Sequence, residues 1–292
     1  MAATAAPRVT RRAIRDRWRS LATDTGVIVA LLLGSVLMML PFVWMFSTSW
    51  RLAKDSFNLP PEWLPTAFRY ENYLEVFKAF PYFEVFLNSI RVASTVTVGQ
   101  LITCSMAAFA FARLRFPGRD VLFIVVLSSM MIPGQVTIIP VFILVRVFGL
   151  LDKLEALIIP SLISAFGVFL LRQFLLTIPS ELEDAAKIDG AGLFRIYSQI
   201  MLPLAGPGLS TLAIFTFNFH WNEFFRPLIF LSSPEKMTLP LGLTLMRGYL
   251  GATGNVSAIM AGITLALLPV LIVFLLAQRY LIEGITLTGL KG

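Results

Sequence analysis

Residues 26–46 read Gly-Val-Ile-Val-Ala-Leu-Leu-Leu-Gly-Ser-Val-Leu-Met-Met-Leu-Pro-Phe-Val-Trp-Met-Phe, 21 residues without a charge. As a helix rising 1.5 Å per residue this run spans about 31 Å, enough to cross the hydrocarbon core of a bilayer. Arg8, Arg11, Arg12, Arg15, Arg17 and Arg19 precede it, an arrangement also found in signal peptides. The apolar region of a cleaved signal is only about 7–15 residues long, so the segment reads as a retained anchor.

The pattern repeats outward from this run. Apolar stretches follow at about 86–112, 120–145, 156–177, 204–231 and 257–278, which predicts six membrane spans with both termini on one side. The composition agrees: 57% of residues are hydrophobic, 14% are charged, and the mean hydropathy is +0.79. Soluble domains run at roughly 45–50% apolar and about 25% charged, so an ordinary soluble enzyme and a disordered chain are both excluded. The fold class is all-α, a polytopic membrane protein. The net charge of +7 would suggest nucleic acid in a soluble protein. In a membrane protein the same surplus marks the cytoplasmic side, and no nucleic acid partner is expected. The basic tail and the Arg113, Arg115, Arg119 cluster place both termini in the cytoplasm. The expected division is a basic tail over 1–24, a first span over 25–47, an extracytoplasmic loop over 48–85, a core over 86–280 and a C-terminal tail over 281–292.

Several residues interrupt the apolar runs. Pro133-Gly134, Pro140 and Pro160 remove backbone donors, which lipid tolerates only where protein or water supplies partners. Such breaks fit helices packed around a pathway, and equally fit simple packing kinks. The outer loop holds Pro60-Pro61, Trp63, Pro65, Tyr70, Tyr73 and Tyr82, aromatic residues suited to anchoring at a membrane interface. Cys104 and His220 are each the sole residue of their type, so neither a disulfide framework nor a metal cluster is expected.

The segment 179–203, between the fourth and fifth spans, reads Pro-Ser-Glu-Leu-Glu-Asp-Ala-Ala-Lys-Ile-Asp-Gly-Ala-Gly-Leu-Phe-Arg-Ile-Tyr-Ser-Gln-Ile-Met-Leu-Pro. Ser180 with Glu183 fits a capping box, Glu181, Glu183 and Asp184 suit a helix N-terminus, and Gly190 suits a C-terminal turn with positive φ. A second helix is predicted from Leu193 to Met201, ending before Pro203, with Leu193, Ile196, Tyr197 and Ile200 on one stripe. A helix lying on lipid is rich in Lys and Arg. This one is acidic, which fits a protein partner better.

Asp184-Ala185-Ala186, then Gly190, then Ile200-x-Leu202-Pro203 resembles the loop of inner-membrane subunits of binding-protein-dependent ABC importers. The family usually has Glu where Asp184 stands, a shorter carboxylate that changes the reach of any pairing. The string Ala-Ala-x-Ile-Asp-Gly-Ala resembles the carbohydrate-importing subgroup, the maltose-system permeases among them. Leu87-Asn-Ser-Ile90, Ala107 to Arg113 running into Phe116-Pro-Gly-Arg119, Leu171-Arg-Gln-Phe174, Trp221-Asn-Glu-Phe224 and Gln278-Arg-Tyr280 agree with it.

The resemblance implies a type I ABC importer transmembrane fold in a prokaryotic plasma (inner) membrane. It implies a coupling helix over about Glu181–Ile188, with Glu183, Asp184, Ala185, Ala186, Asp189, Gly190 and Pro203 serving ATPase coupling. The implied partners are a second homologous permease subunit, an ABC ATPase dimer, an extracytoplasmic solute-binding protein, membrane lipid and a sugar. The chain contains no Gly-x-x-x-x-Gly-Lys-Ser/Thr, the motif that cradles nucleotide phosphates. No enzyme activity and no cofactor are therefore expected in this chain, with ATP and Mg held by the ATPase subunit.

The fifth span is the most polar, with Asn218, His220, Trp221, Asn222, Glu223 and Arg226. Ionisable groups within a span are costly and suggest function. Asn218, Trp221, Asn222, Glu223 and Arg226 are the candidate substrate pathway; a structural network in which Glu223 and Arg226 neutralise each other is the alternative. The family usually has an apolar residue at the Arg226 position. An ion-gradient-driven secondary transporter is the rival function; it calls for inverted repeats and intramembrane carboxylates, of which only Glu223 qualifies.

Overall fold

The computed structural model describes residues 11–56, 63–65, 67–249 and 255–289, with backbone alone for 11–24, 79, 247, 249 and 276–289. Arg8, the Pro60-Pro61 pair and Lys291 lie outside the described residues. All regular structure among these residues is helical. In chain order the helices are α1 (Arg11–Ser49), α2 (Glu71–Ala79), α3 (Tyr82–Arg113), α4 (Arg119–Ser129), α5 (Gly134–Val147), α6 (Glu155–Ile158) and α7 (Ala165–Leu176). The loop follows with α8 (Glu181–Ile188), α9 (Leu193–Ile196), a π turn over Tyr197–Met201 and α10 (Leu202–Leu204). The chain continues with α11 (Gly206–Trp221), α12 (Phe225–Phe230), α13 (Leu239–Tyr249) and α14 (Val256–Gly289).

The tails expected at 1–24 and 281–292 fall only partly within the described residues. Backbone over 11–24 already belongs to α1, and backbone over 281–289 still belongs to α14. Among the described residues, four helical stretches are long and apolar enough to cross a membrane: Thr25–Ser49, Tyr82–Arg113, Glu155–Leu176 and Val256–Leu275. Two further stretches qualify only as bent pairs, the second of which takes in the loop helix expected from Leu193. Arg119–Ser129 and Gly134–Val147 meet at 99°, and Leu193–Leu204 meets Gly206–Trp221 at 75°. The first bend falls where Ile132 precedes Pro133, which disfavours the helical region for Ile132. Pro140, by contrast, sits inside α5 without breaking it.

The expected fifth span over 204–231 is also interrupted. α11 stops at Trp221, where the Asn222 amide folds back to donate to Asn218 O at 2.8 Å. Pro227, which cannot donate a backbone hydrogen bond, lies in the first turns of α12.

α3 is the axis of the fold. Its buried positions Val85, Ser89, Val92, Val96, Gln100 and Cys104 recur at spacings of three and four, one continuous helix face. α7 and α11 pack on that face. The crossing with α7 is close at Gly167, where a Cβ would fall 2.9 Å from Cys104 Sγ and 3.1 Å from Leu212 Cδ1.

Three apolar clusters surround the axis. The first joins Phe80, Tyr82, Val85, Trp221, Leu239, Met246 and Ala258; the second joins Cys104, Phe109, Leu171, Leu175, Ala186, Ile196 and Met201. A third forms from Val92, Val96, Val145, Leu157 and Phe230. Tyr82, expected at a membrane interface, is instead buried and donates to Gly262 O at 2.9 Å. Trp63 and Tyr70 are exposed as expected.

At the end of the bundle opposite α8, Asp152 clasps two loops. Its Oδ1 accepts from the N–H groups of Ser232 and Ser233, both at 2.9 Å, and its Oδ2 accepts from Ser233 Oγ at 2.6 Å and Lys236 Nζ at 3.0 Å. The Ser233 hydroxyl first, then the two backbone donors and Lys236, hold this carboxyl well below its ordinary pKa of 3.8, against a small opposing effect of burial. The clasp therefore stabilises the fold above that ordinary value and is lost as pH falls towards the depressed native one. Asp152 also has φ 56°, a region that Asn tolerates. Asp152→Asn is expected to lower the thermal midpoint of the purified protein at pH 7, and to lower it by less near pH 3, where part of the charge's contribution has already gone. An equal drop at both values would mean that the charge contributes nothing.

Candidate functional site

The break between α6 and α7 presents backbone groups to the middle of the bundle, and α3 meets them. Gln100 Nε2 donates to Ser161 O at 2.8 Å, Thr103 Oγ1 donates to Leu162 O at 2.5 Å, and Ser164 N donates to Cys104 Sγ at 3.4 Å. On the other side Thr216 Oγ1 of α11 donates to Gln100 Oε1 at 3.0 Å. Gln100 thus uses both ends of its amide to join the broken segment to α11.

Beside this layer lies a cavity of about 780 Å³, within the range of small-molecule sites. Gln100, Ser161, Ser164 and Thr216 form part of its wall with Asn218, His220, Asn222, Glu223 and Arg226. Phe166, Phe215 and Phe219 supply aromatic surface. Four of the five predicted pathway residues are brought together here. Trp221 is the exception: it is buried, stacked on Phe217 and set edge-on to Phe86. It belongs to the packed core because α11 turns its 221 position towards α3, away from the face of Asn218 and Asn222.

Glu223 and Arg226 pair as the i, i+3 spacing predicts, although across the gap between α11 and α12. Arg226 Nε donates to Glu223 Oε1 and its Nη2 to Glu223 Oε2 at 2.6 Å. Its Nη1 donates to Ser161 Oγ at 2.7 Å. His220 Nδ1 lies 3.2 Å from Glu223 Oε2. The fork geometry makes this a bidentate pair, and it ties α12 to the α6–α7 break.

Sequence reasoning missed Gln100, Ser161, Ser164 and Thr216. Each is an ordinary small or amide residue in an apolar stretch, and only the spacing of Gln100 on the buried face of α3 carried a signal.

The loop 179–203 folds as two helical pieces. α8 ends in a Schellman motif: Ala191 N donates to Ala186 O at 2.9 Å and Gly190 N to Lys187 O at 3.0 Å, with Gly190 at φ 76° as expected. The capping box does not form. Ser180 has helical dihedrals and makes no side-chain cap, because the Glu183 carboxylate points into the bundle towards Arg113 at 3.0 Å. Glu183 and Ala186 face inward, while Asp184, Ala185, Lys187, Ile188 and Asp189 face out. Ile188 and Phe194 are 87% and 75% exposed. Leu193 leaves the predicted apolar stripe and is exposed, whereas Ile196 is buried.

The second helix does not stop before Pro203. It widens into the π turn, held to α3 by a 2.8 Å hydrogen bond between Tyr197 and Ser105 hydroxyls, and passes through Pro203 in α10. Proline fits there because the first turn of a helix needs no backbone donor.

A family model described as "Binding-protein-dependent transport system inner membrane component" matches residues 100–286. The chain is similar to the arabinooligosaccharides transport system permease protein AraQ of Bacillus subtilis (strain 168), with 37% identity over 229 residues covering 78% of this chain and 81% of that one. It is also similar to the sn-glycerol-3-phosphate transport system permease protein UgpE of Yersinia pestis, with 31% identity over 263 residues covering 88% and 94%. Among solved structures, a bacterial ABC transporter involved in the import of the acidic polysaccharide alginate matches with a TM-score of 0.77 and 26% identity, over 94% of this chain and 100% of that one.

The cavity network gives a direct test. Arg226→Leu strands the Glu223 carboxylate beside His220 and is expected to destabilise the protein by up to about 3–5 kcal/mol, the range for a broken buried pair. The double change Glu223→Gln with Arg226→Leu should recover most of that loss. Thermal midpoints in detergent decide; a single variant as stable as the parent would show that the pair does not support the fold.

Proposed function

This chain belongs to the family of binding-protein-dependent transport system inner membrane components, and we propose that the solute it helps to import is a sugar or related polyol. It is a membrane-embedded transport subunit. The observation that carries the reading is one of continuity: α11, which lines the 780 Å³ cavity, grows directly out of the loop that carries α8. Movement imposed on the loop is thereby movement of the cavity wall.

Asn218 and Asn222 carry the solute-facing role in this reading. Amides both donate and accept, which suits hydroxyl-rich molecules, and Phe215 and Phe219 offer flat apolar surface to the less polar sugar faces. Glu223, His220 and Arg226 hold one another and shape the wall. The names of the similar permeases, which include carriers of arabino-oligosaccharides, support a carbohydrate.

The outward face of α8 docks on a separate ATPase subunit. Asp184 meets a cation there, Ala185 permits close approach, and Ile188 and Phe194 enter an apolar cleft. The functional assembly is this chain, a second similar permease, two ATPase subunits that bind ATP and Mg, and an extracytoplasmic solute-binding protein. The α8 loop and both termini lie in the cytoplasm, in keeping with the Arg113–Arg119 cluster at that end.

Asp184→Arg reverses the docking charge, and Gly190→Asp forces a side chain into φ 76°. Either variant should insert normally in the membrane, lose the co-purifying ATPase subunit and abolish uptake of radiolabelled arabinotriose by cells carrying the whole system. Wild-type ATPase recovery with normal uptake would refute the coupling role. Uptake of glycerol 3-phosphate in place of every neutral saccharide tested would refute the sugar.

A further inference from the structure

Three helices meet on one side chain at the loop end of the bundle. Arg113 is the last residue of α3. Its Nη2 donates to Leu175 O, and to Ile178 O at 2.5 Å. Leu175 O lies in the last turn of α7 and Ile178 O just beyond it, where spare acceptor capacity and the helix dipole favour a cation. Its Nε lies 3.0 Å from Glu183 Oε1 of α8, an ion pair too bent to count as a hydrogen bond. The two side chains are only 10% and 9% exposed. One residue further along α8, the exposed Asp184 points the other way and pairs with Lys187 at 3.0 Å.

We infer that Glu183 is a positioning residue rather than a docking residue: with Arg113 it locks α8 to the ends of α3 and α7, so that a push on α8 moves those helices as one body. This rests on the reading of α8 as the helix that docks on the ATPase subunit.

The burial of Ala186 in the second apolar cluster, which also holds Ile178 and Ile196, is non-directional and alone would let α8 slide or roll. The guanidinium is planar and rigid, with donors in set directions. Held by one carbonyl in the last turn of α7 and one just after it, and facing one carboxylate of α8, it sets both the distance and the rotation of α8. The carboxylate is committed to this contact, which is why the capping box at Ser180 is absent. The adjacent acids Glu183 and Asp184 thus have opposite duties: one faces the membrane helices, the other the partner.

The test uses the assembled complex in nanodiscs. Spin labels are placed at the exposed positions Met106→Cys on α3 and Glu181→Cys on α8, clear of the docking positions Asp184, Ala185 and Ile188, on a Cys104→Ser background. With the lock intact, one narrow inter-label distance is expected with ADP and with ATP trapped by vanadate. Glu183→Gln should broaden that distance in both states while the ATPase subunit still co-purifies. Arg113→Lys keeps the charge but loses the planar fork; it should broaden the distance less, and serves where the first variant folds poorly.

Unchanged narrow distances in both variants would overturn the inference. So would loss of the ATPase subunit from Glu183→Gln to the extent seen with Asp184→Arg, because Glu183 would then be a docking residue. Retention of the ATPase subunit by Asp184→Arg would be a different failure, of the docking reading itself, and would remove the mechanical role with it.

Discussion

Inside a bilayer every backbone N–H and C=O must find its partner within the protein, and α3 is where this chain meets that demand. The helix runs unbroken over Tyr82–Arg113 and offers polar side chains to each neighbouring interruption. Asn88 Nδ2 donates to Glu235 O and Met237 O at 2.8 and 3.1 Å, and Ser89 Oγ accepts from Leu239 N at 2.7 Å. Gln100, Thr103 and Cys104 serve the α6–α7 break, and Arg113 serves the end of α7. Without these partners the bends would be untenable in lipid, and straight helices would enclose no polar cavity.

The breaks are therefore what makes transport chemistry possible on an otherwise apolar chain. Where α6 gives way to α7 and α11 to α12, polar atoms gather at mid-bundle and line one cavity. The same α11 is joined through the π turn and the 75° bend to the loop outside the bundle. π turns sit preferentially at functional positions in helices, and here the Tyr197–Ser105 contact pins one to α3. The polar wall and the α8 loop are two ends of one piece of chain.

Much of this was legible in the sequence. The apolar runs, the Gly190 turn, the acidic loop helix and the Glu223–Arg226 pair all follow from short-range spacing, and all appear. Two of the failures share a cause. Ser180 and Glu183 satisfy the local pattern of a capping box, yet a buried guanidinium from 70 residues earlier in the chain takes the carboxylate instead. Trp221 sits among pathway residues in sequence but packs against Phe86 and Phe217. Pro203 reads as a stop and is tolerated as a start. For Glu183 and Trp221 a contact distant in sequence outweighed the local reading, whereas Pro203 follows a local rule applied at the opposite end of a helix.

The sequence by itself determined the class and the orientation signal, because hydrophobic length and charge placement are properties of single segments in a layered solvent. It also determined the loop identity, because Asp184-Ala-Ala and Gly190 are spaced within one helix and its turn. Only the tertiary structure decided which acid of the loop faces inward, which span residues line the cavity, and that Gln100, Ser161, Ser164 and Thr216 belong to it. Those assignments depend on the rotation of one helix against another. Rotation is set by side chains far apart in the chain, among them Cys104 against Gly167 and Arg113 against Glu183, and no periodicity within a single segment records it.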